Sequence, residues 1–392
     1  MPDTQPSFKH LIIIGAGIAG LCAAFYCRDL FDEITIFDPD PLSATSWVAG
    51  GMLAPVTESH FGESPLTTLN LEAARIFPEF LSDLQGVSGC TVDHQVGGTI
   101  SVAKTRSDLI QLDQLAQYQL TLGLKTEKVS VSQLAELVPK LSSTLAGGYI
   151  VPQDTLVGPR SLLTCLGRML EIFNIEIVQQ QVLSIEVARD KSFELSLGPS
   201  GKVQASHIVL AAGCGTRSVP VQLPQLPHSS LPIRPVRGQI LRLQPQAQFR
   251  FSSGVFIDKI VRGLVDGRPV YILSRADGEV AIGATSEEAG YNVANTFEGV
   301  FELMRAARDV LPAIMELEIV ALESGLRPTS PDNLPVIGPL WPQLFVSTGF
   351  YRNGILLGPK SGALARDYFV SGNVETQYKI FSPQRFFNNS SH

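Results

Sequence analysis

The first forty residues alternate apolar runs with short breaks in an order that reads strand, turn, helix, strand. LIII at 11–14 is an unbroken apolar run, suited to a strand buried on both faces. Gly15 and Gly17 interrupt it. Residues 18–30 are apolar and Ala-rich, as in a helix laid on a sheet. EITIF at 33–37 is extended again and ends at Asp38, and Pro39 and Pro41 forbid its continuation.

The pattern then changes several times. Residues 43–60 read as a Ser/Gly-rich loop, and 66–86 have helical spacing with a break or kink expected at Pro78. GGTISVA at 97–103 reads as strand, followed by amphipathic helices around 106–122 and 131–139. Residues 160–174 read as a helix that leads into short strands near 175–188 and then HIVLAAG at 207–213. The proline-rich stretch 219–235 reads as a crossing linker. GQILRL, GVFID, PVYILS and EVAIGAT, within 237–285, read as a meander of strands. A helix is expected at 296–311, a strand at 317–323, and a closing strand, Gly turn and helix at 344–369. The tail from about 383 reads as loose.

This order implies an α/β fold. A nucleotide-type domain is expected from three segments, 1–88, 144–220 and 325–375. A β-rich α+β domain, 89–143 and 221–324, is expected to be threaded through it, with 376–392 as a C-terminal tail.

Composition narrows the classes. Of 392 residues, 44% are hydrophobic and 17% charged, against roughly 25% charged in an average domain, so general disorder is excluded. The net charge is −7 with no basic block, which excludes nucleic acid as an expected partner. Five cysteines, with no CxxC, argue against a disulfide framework and a structural zinc site, and the six scattered histidines give no metal motif. A reducing, cytoplasmic setting fits best. The apolar run 11–27 could be a signal-peptide core or a membrane span, but it is short, carries glycines at a turn spacing and meets Arg28 and Asp29 at once. No other run is long enough, so no membrane span is expected.

GAGIAG places Gly15, Gly17 and Gly20 in GxGxxG spacing between a strand and a helix. The first glycine permits the tight turn, the second lets backbone approach a pyrophosphate, and the third lets helix and strand pack closely. Asp38, ending the next strand, is placed to accept hydrogen bonds from a ribose diol. A tight turn in an unrelated α/β core is the plainer reading, but the flanking strand, helix and acid favour a dinucleotide, FAD or NAD.

GAGIAG with Asp38, then TSWVAGGMLAP and VTESHFGE at 45–63, resemble the D-amino-acid-oxidase-type flavoprotein family, and within it the glycine-oxidase branch linked to thiamine biosynthesis. VPQDTLVGPRSL (151–162), HIVLAAG, RPVRGQIL (234–241), VYILSRADGEVAIGAT (270–285), GLRPTSPDNLPVIG (325–338) and TGFYRNGILLGPKSGALARD (348–367) continue the likeness in the same order. The resemblance implies a Rossmann-type FAD-binding domain with an inserted substrate domain. The implied FAD contacts begin with Gly15, Gly17, Ile18, Ala19, Gly20, Asp38 and Pro39. Thr45, Ser46, Gly50, Gly51 and Met52 follow, then Val182, Ala212 and Gly213. The last group is Phe350, Tyr351, Arg352, Asn353, Gly354, Ile355 and Leu356, at a turn and helix start that would face the flavin ring.

The resemblance also assigns Arg327 and Tyr271 to the substrate carboxylate and places Arg352 near flavin and substrate. A planar guanidinium suits a carboxylate. The plainer readings are a structural salt bridge for the arginine and a core aromatic for the tyrosine. Two positions depart from the branch's pattern. Ser286, followed by Glu287 and Glu288, stands where a bulky apolar residue is usual, and Pro269 stands where a polar one is.

With no histidine in 43–55 and no cysteine after Cys214, the FAD is expected to be non-covalent. The implied chemistry is hydride transfer from a small amine or amino acid to flavin N5, hydrolysis of the imine to an oxo acid and ammonia, and reoxidation by O2 to H2O2. Homo-oligomers are common among relatives. The rival readings are a sarcosine, D-amino-acid or other secondary-amine oxidase or dehydrogenase, an NAD-dependent dehydrogenase, and a flavoprotein acting on a macromolecule.

Overall fold

The computed structural model describes residues 9–41, 45–187, 192–223, 226–246 and 255–387. LIII becomes the strand His10–Ile14, flanked by parallel neighbours on both sides. Leu11 and Ile13 face one core, with Leu21, Phe25, Phe77, Phe80 and Leu163, while Ile12 and Ile14 face another, with Ile185, Phe193, Ile208 and Leu210. Burial on both faces is why the run carries no polar alternation.

This strand lies within a six-stranded sheet in the order Val336–Trp341, Leu344–Thr348, His207–Leu210, His10–Ile14, Glu33–Phe37, Glu176–Val178. Only Val336–Trp341 is antiparallel to its neighbour. The helices Ile18–Cys27 and Gly354–Ser371 pack on one face at glycine distance. A Cβ on Gly362 would stand 2.6 Å from the Cys22 carbonyl oxygen, and one on Gly358 2.8 Å from Ile18 Cγ1. The first and last elements of the fold are thereby locked together.

An eight-stranded sheet runs Glu318–Thr329, Arg234–Gln244, Val280–Gly283, Arg268–Ser274, Ile260–Val265, Thr99–Ala103, Gly147–Val151, Glu127–Val129. The helix Phe297–Val310 covers one face with Leu303, Ala307 and Val310, against Leu241, Val261 and Ile272. The strand Gly147–Val151 belongs to this sheet although the expected boundary at 144 assigns it to the nucleotide segments. The strand Glu318–Thr329 runs across the expected boundary at 325.

Several local expectations need correction. The loop at 43–60 holds a short helix, Thr45–Val48, and a short strand, Met52–Leu53; Ser43 and Ala44 lie outside the described residues. Pro78 neither breaks nor ends its helix, which runs unbroken over Ser64–Ser88. Leu66, Leu69, Ala73, Phe77, Phe80, Leu81 and Leu84 are buried along it, and that packing outweighs one missing N–H. Within the linker at 219–235, Val221–Leu223 and Leu226–Ser229 pair antiparallel in a five-stranded sheet, with Pro224 and Gln225 outside the described residues.

In GVFID, Gly254 lies outside the described residues and 255–258 form no strand; the strand is Ile260–Val265. Val255, Phe256 and Ile257 are buried, so their apolar pattern reported burial rather than extension. The run 11–27 is split between strand and helix, and no helix among the described residues is long and apolar enough to cross a membrane.

The tail is not loose through 387. Thr376–Phe381 and Pro383–Phe386 are 3₁₀ turns that bury Tyr378, Phe381 and Pro383, and Arg385 Nε lies 2.8 Å from Asp332 Oδ2. Residues 388–392 lie outside the described set. Phe381 is 2% exposed and joins the core on the helix-covered face of the parallel sheet. Phe381→Ala should therefore cost about 3 kcal/mol, read as a lower urea midpoint at unchanged slope; a midpoint equal to the parent's would mean the tail contributes no packing.

Candidate functional site

The turn after the first strand is shaped by contacts that only glycine allows. Gly15 sits at φ +109°, and a Cβ there would lie 2.4 Å from the Ala211 carbonyl oxygen. Its N–H bonds the Phe37 carbonyl at 2.8 Å. Asp38 accepts from the Ala16 N–H at 2.6 Å and, through its other oxygen, from Asp40 N–H at 2.9 Å, so it fixes the turn as well as facing the cavity. The helix that follows has no side-chain cap, and the Ile18 N–H donates to Ser46 Oγ at 3.1 Å. Uncapped amides and a helix dipole suit an anion. This donor set, with the space a Cβ would fill, fits the diphosphate that the resemblance implies.

The turn opens onto a cavity of about 630 Å³, within the usual range for ligand sites. Gly15, Gly17, Ile18, Ala19 and Asp38 line one end. Thr45, Ser46, Gly50, Gly51, Met52, Ala212 and Gly213 line its length, and Phe350, Tyr351, Arg352, Asn353, Gly354 and Ile355 close it. Gly349 (φ +73°) and Tyr351 (φ +50°) turn the chain so that the helix Gly354–Ser371 starts at the wall, again without a side-chain cap. Two helix N-termini thus face one cavity.

Four expected contacts are not on the wall. Gly20 packs under the turn, where a Cβ would lie 1.9 Å from the Gly15 carbonyl oxygen. Pro39 is exposed to solvent. Val182 is buried in the core behind the sheet, and Leu356 points to the inner face of its helix. Spacing from a motif gives the turn but not which of its side chains turn outward.

Arg327 and Tyr271 do come together. Arg327 is on the strand Glu318–Thr329, and its guanidinium lies flat over Gly238, where a Cβ would be 2.4 Å from Nη2. Nη1 donates to the Thr285 carbonyl at 2.9 Å. Among the described residues no carboxylate pairs with it. Thr45 grips the same strand, with its hydroxyl bonded to the Leu326 carbonyl at 2.7 Å. The Tyr271 ring lies over Gly283 and Gly50, with its hydroxyl 2.2 Å and 2.8 Å from where their Cβ atoms would be. Burial pushes the Tyr271 phenol up while Arg327 pulls it back, so the hydroxyl stays protonated as a donor. The plainer reading of Arg327 as a salt-bridged arginine finds no carboxylate among the described residues, whereas the Tyr271 ring does also pack against the buried cluster of Ile240, Leu273 and Ala281.

Arg352, which the resemblance implies lies near flavin and substrate, is ion-paired. It lines the cavity, but its Nε is 2.9 Å from Glu58 Oε2 and its Nη2 is 3.2 Å from Glu63 Oε2. Glu58 also accepts from Arg262, directly across the strand pair from Tyr271. Burial pushes the Glu58 carboxyl up, but Arg262, His60 and Arg352 outweigh it and hold it well below the ordinary carboxylate range.

Sequence reasoning missed Glu58, Arg262, Gly238 and Gly283. It also missed Arg275, which donates to the Gly50 carbonyl and, at 2.8 Å, to Val157. Glycine inside a strand pattern marks a close approach and could have flagged Gly238 and Gly283. Of the two departures, Ser286 lines the cavity and bonds the Tyr351 hydroxyl at 3.1 Å, and Pro269 also lines it.

Asp154 sits behind Glu58, fully buried, and accepts from Thr57 Oγ1 at 2.6 Å and Val56 N–H at 3.3 Å. Burial pushes its carboxyl up to about 6, against the bonds from Thr57 and Val56 that lower it.

The family model described as "FAD dependent oxidoreductase" (DAO) matches residues 10–368. The chain is 28% identical to the bifunctional protein ThiO/ThiG of Trichormus variabilis, over 96% of this chain and 55% of that protein. It therefore spans about half the length of that relative. It is 25% identical to the glycine oxidase of Bacillus subtilis, covering 94% of both chains. The crystal structure of glycine oxidase from Geobacillus kaustophilus superposes with a TM-score of 0.85 at 25% identity, over 96% of this chain and 99% of that one. The expected Rossmann-type α/β class is the fold observed.

The raised Asp154 carboxyl has a testable sign. The folded chain holds this proton more tightly than the unfolded one between about pH 4 and 6, so its contribution lowers stability as pH rises through that window. Relative to Asp154→Asn, the parent should lose up to about 3 kcal/mol across it, read from urea midpoints; parallel pH curves would mean Asp154 titrates normally.

Proposed function

The chain belongs to the FAD dependent oxidoreductase family, and from that premise we propose that it oxidises a small amine bearing one carboxylate, glycine foremost, to the oxo acid and ammonia, with O2 reduced to H2O2. The observation that carries this reading is Arg327, a guanidinium on the cavity wall with no acidic partner among the described residues, beside a protonated Tyr271 hydroxyl. Such a pair offers planar, charge-assisted donors to a carboxylate. The likeness to glycine oxidases over most of both chains supports the same class of substrate.

FAD, when bound, supplies the acceptor for the hydride leaving the α-carbon and hands the electrons on to oxygen. The residues of this chain do the holding. The turn at Gly15–Gly20 and the first turn of Ile18–Cys27 would bind the diphosphate, and Asp38 the ribose. The start of Gly354–Ser371 would set a positive helix end against the ring, where negative charge gathers on reduction. Gly50, whose carbonyl Arg275 holds, and Gly51 leave room for the ring to pass close to backbone. Arg327 and Tyr271 would fix the carboxylate and with it the α-carbon, an orientation effect worth several kcal/mol.

No side chain need act as a general base, because the hydride leaves the neutral amine form with its electron pair. We read the FAD as non-covalent: Cys214 is the cysteine on the wall, and burial pushes its thiol up to about 12, so it stays a weak nucleophile. The ThiO/ThiG likeness supports a place in thiamine biosynthesis, and Ser286, a small polar residue on the wall, leaves room for N-methylated or D-amino acids.

Steady-state kinetics with glycine and sarcosine, coupled to peroxide detection, test the reading. Arg327→Ala should raise KM about 100-fold, the loss of two charge-assisted hydrogen bonds, while the flavin spectrum is retained. Arg327→Lys should fall between. An unchanged KM would remove Arg327 from the substrate site.

A further inference from the structure

Part of the cavity wall is crowded with charge. Arg262, Glu58, His60 and Arg352 line it, and Glu63 stands beside Arg352. Glu58 is the hub. One oxygen accepts from Arg262, and the other lies 2.9 Å from Arg352 Nε and 3.9 Å from His60 Nε2. Its side chain is 9% exposed. Among the described residues, the arginines that line the cavity are Arg262, Arg327 and Arg352. Two of the three are therefore offset by two carboxylates. The third, Arg327, lies at the other edge of the same sheet region, with the strands of Tyr271, Gly283 and Gly238 between it and Arg262.

We infer that Glu58, backed by Glu63, is a specificity-determining residue: by neutralising Arg262 and Arg352 it leaves Arg327 as the one uncompensated arginine on the wall among the described residues, so that the site accepts one carboxylate and rejects a second. This rests on the reading in which Arg327 takes the substrate carboxylate. A dianionic ligand bound through Arg327 must place its second carboxylate somewhere in the same cavity. The cations that could receive it are already engaged, and the Glu58 and Glu63 oxygens around them repel it. Rejection by an unpaired or repelled charge is a stronger filter than loss of an attraction. The arrangement also keeps Arg262 and Arg352 from competing with Arg327 for the first carboxylate, which would turn the α-carbon away from its place.

The test compares a monoanion with a dianion of similar size, glycolate and malonate, titrated into the FAD-loaded full chain and followed by perturbation of the flavin absorption. The parent should bind glycolate more tightly than malonate. Glu58→Gln keeps the size and one acceptor but removes the charge, and should shift the ratio toward malonate by about tenfold, roughly one charge-assisted contact. Glu63→Gln, at a partly exposed site that leaves no buried charge unpaired, should shift it the same way by about threefold. A structural role for Glu58 would weaken both ligands alike and leave the ratio unmoved.

If Glu58→Gln does not fold, the Glu63→Gln ratio decides. A parent that already prefers malonate, or ratios unchanged in the folded variants, overturns the inference. If glycine bleaches the flavin yet the ratios stay put, only the role of Glu58 falls. If neither ligand perturbs the flavin and glycine does not bleach it, the substrate reading fails and takes this inference with it.

Discussion

A guanidinium that faces a cavity without a carboxylate partner has lost much of its water and gained only a backbone carbonyl in return, so something must hold it there. For Arg327 the holding is steric. Its strand is gripped by Thr45, and its plane rests on Gly238, where a side chain would displace it. Tyr271 rests in the same way on Gly283. The donors are thus fixed before any ligand arrives, which lowers the ordering cost of binding. The rest of the cavity is arranged around that fixed pair.

The two ends of the cavity handle charge differently. At the glycine turn, anion-binding capacity comes from the uncapped amides of the first helix, and among the described residues no lysine or arginine lines the wall beside Gly15–Ala19; a second uncapped helix starts at Gly354. Backbone amides are held by the helices themselves, and the close packing of Gly358 and Gly362 against the first helix ties the two N-termini into one unit. At the other end, formal charges are present in number but cancel in pairs around Glu58. Asp154 holds the backbone that carries Glu58, which links the ion-pair cluster to the β-rich sheet behind it.

Legibility in the sequence followed the physics of each element. The opening strand, turn and helix were readable because double-sided burial and glycine sterics leave strong local marks. The helices at 64–88 and 297–310 were readable from periodicity, although Pro78 suggested a break that long-range packing overrides. GVFID misled because buried irregular chain and buried strand share one apolar pattern. Arg327 and Tyr271 came from resemblance, and their meeting depends on glycines some ninety and twelve residues distant in the chain, a pairing that no local spacing reports. The ion pair of Arg352 with Glu58 was not legible, since it joins residues far apart in sequence. Val182 and Leu356 show the same limit in reverse: they lie in the right segments, but their side chains turn into the core.

In the proposed function this cavity joins a bound flavin to a site for a small amine with one carboxylate. Anaerobic titration of the purified yellow protein with glycine, watched through the visible flavin bands, tests it most directly. The bands should bleach, and air should restore them with one peroxide formed per flavin. A yellow protein that no glycine, sarcosine or D-alanine can bleach would contradict it.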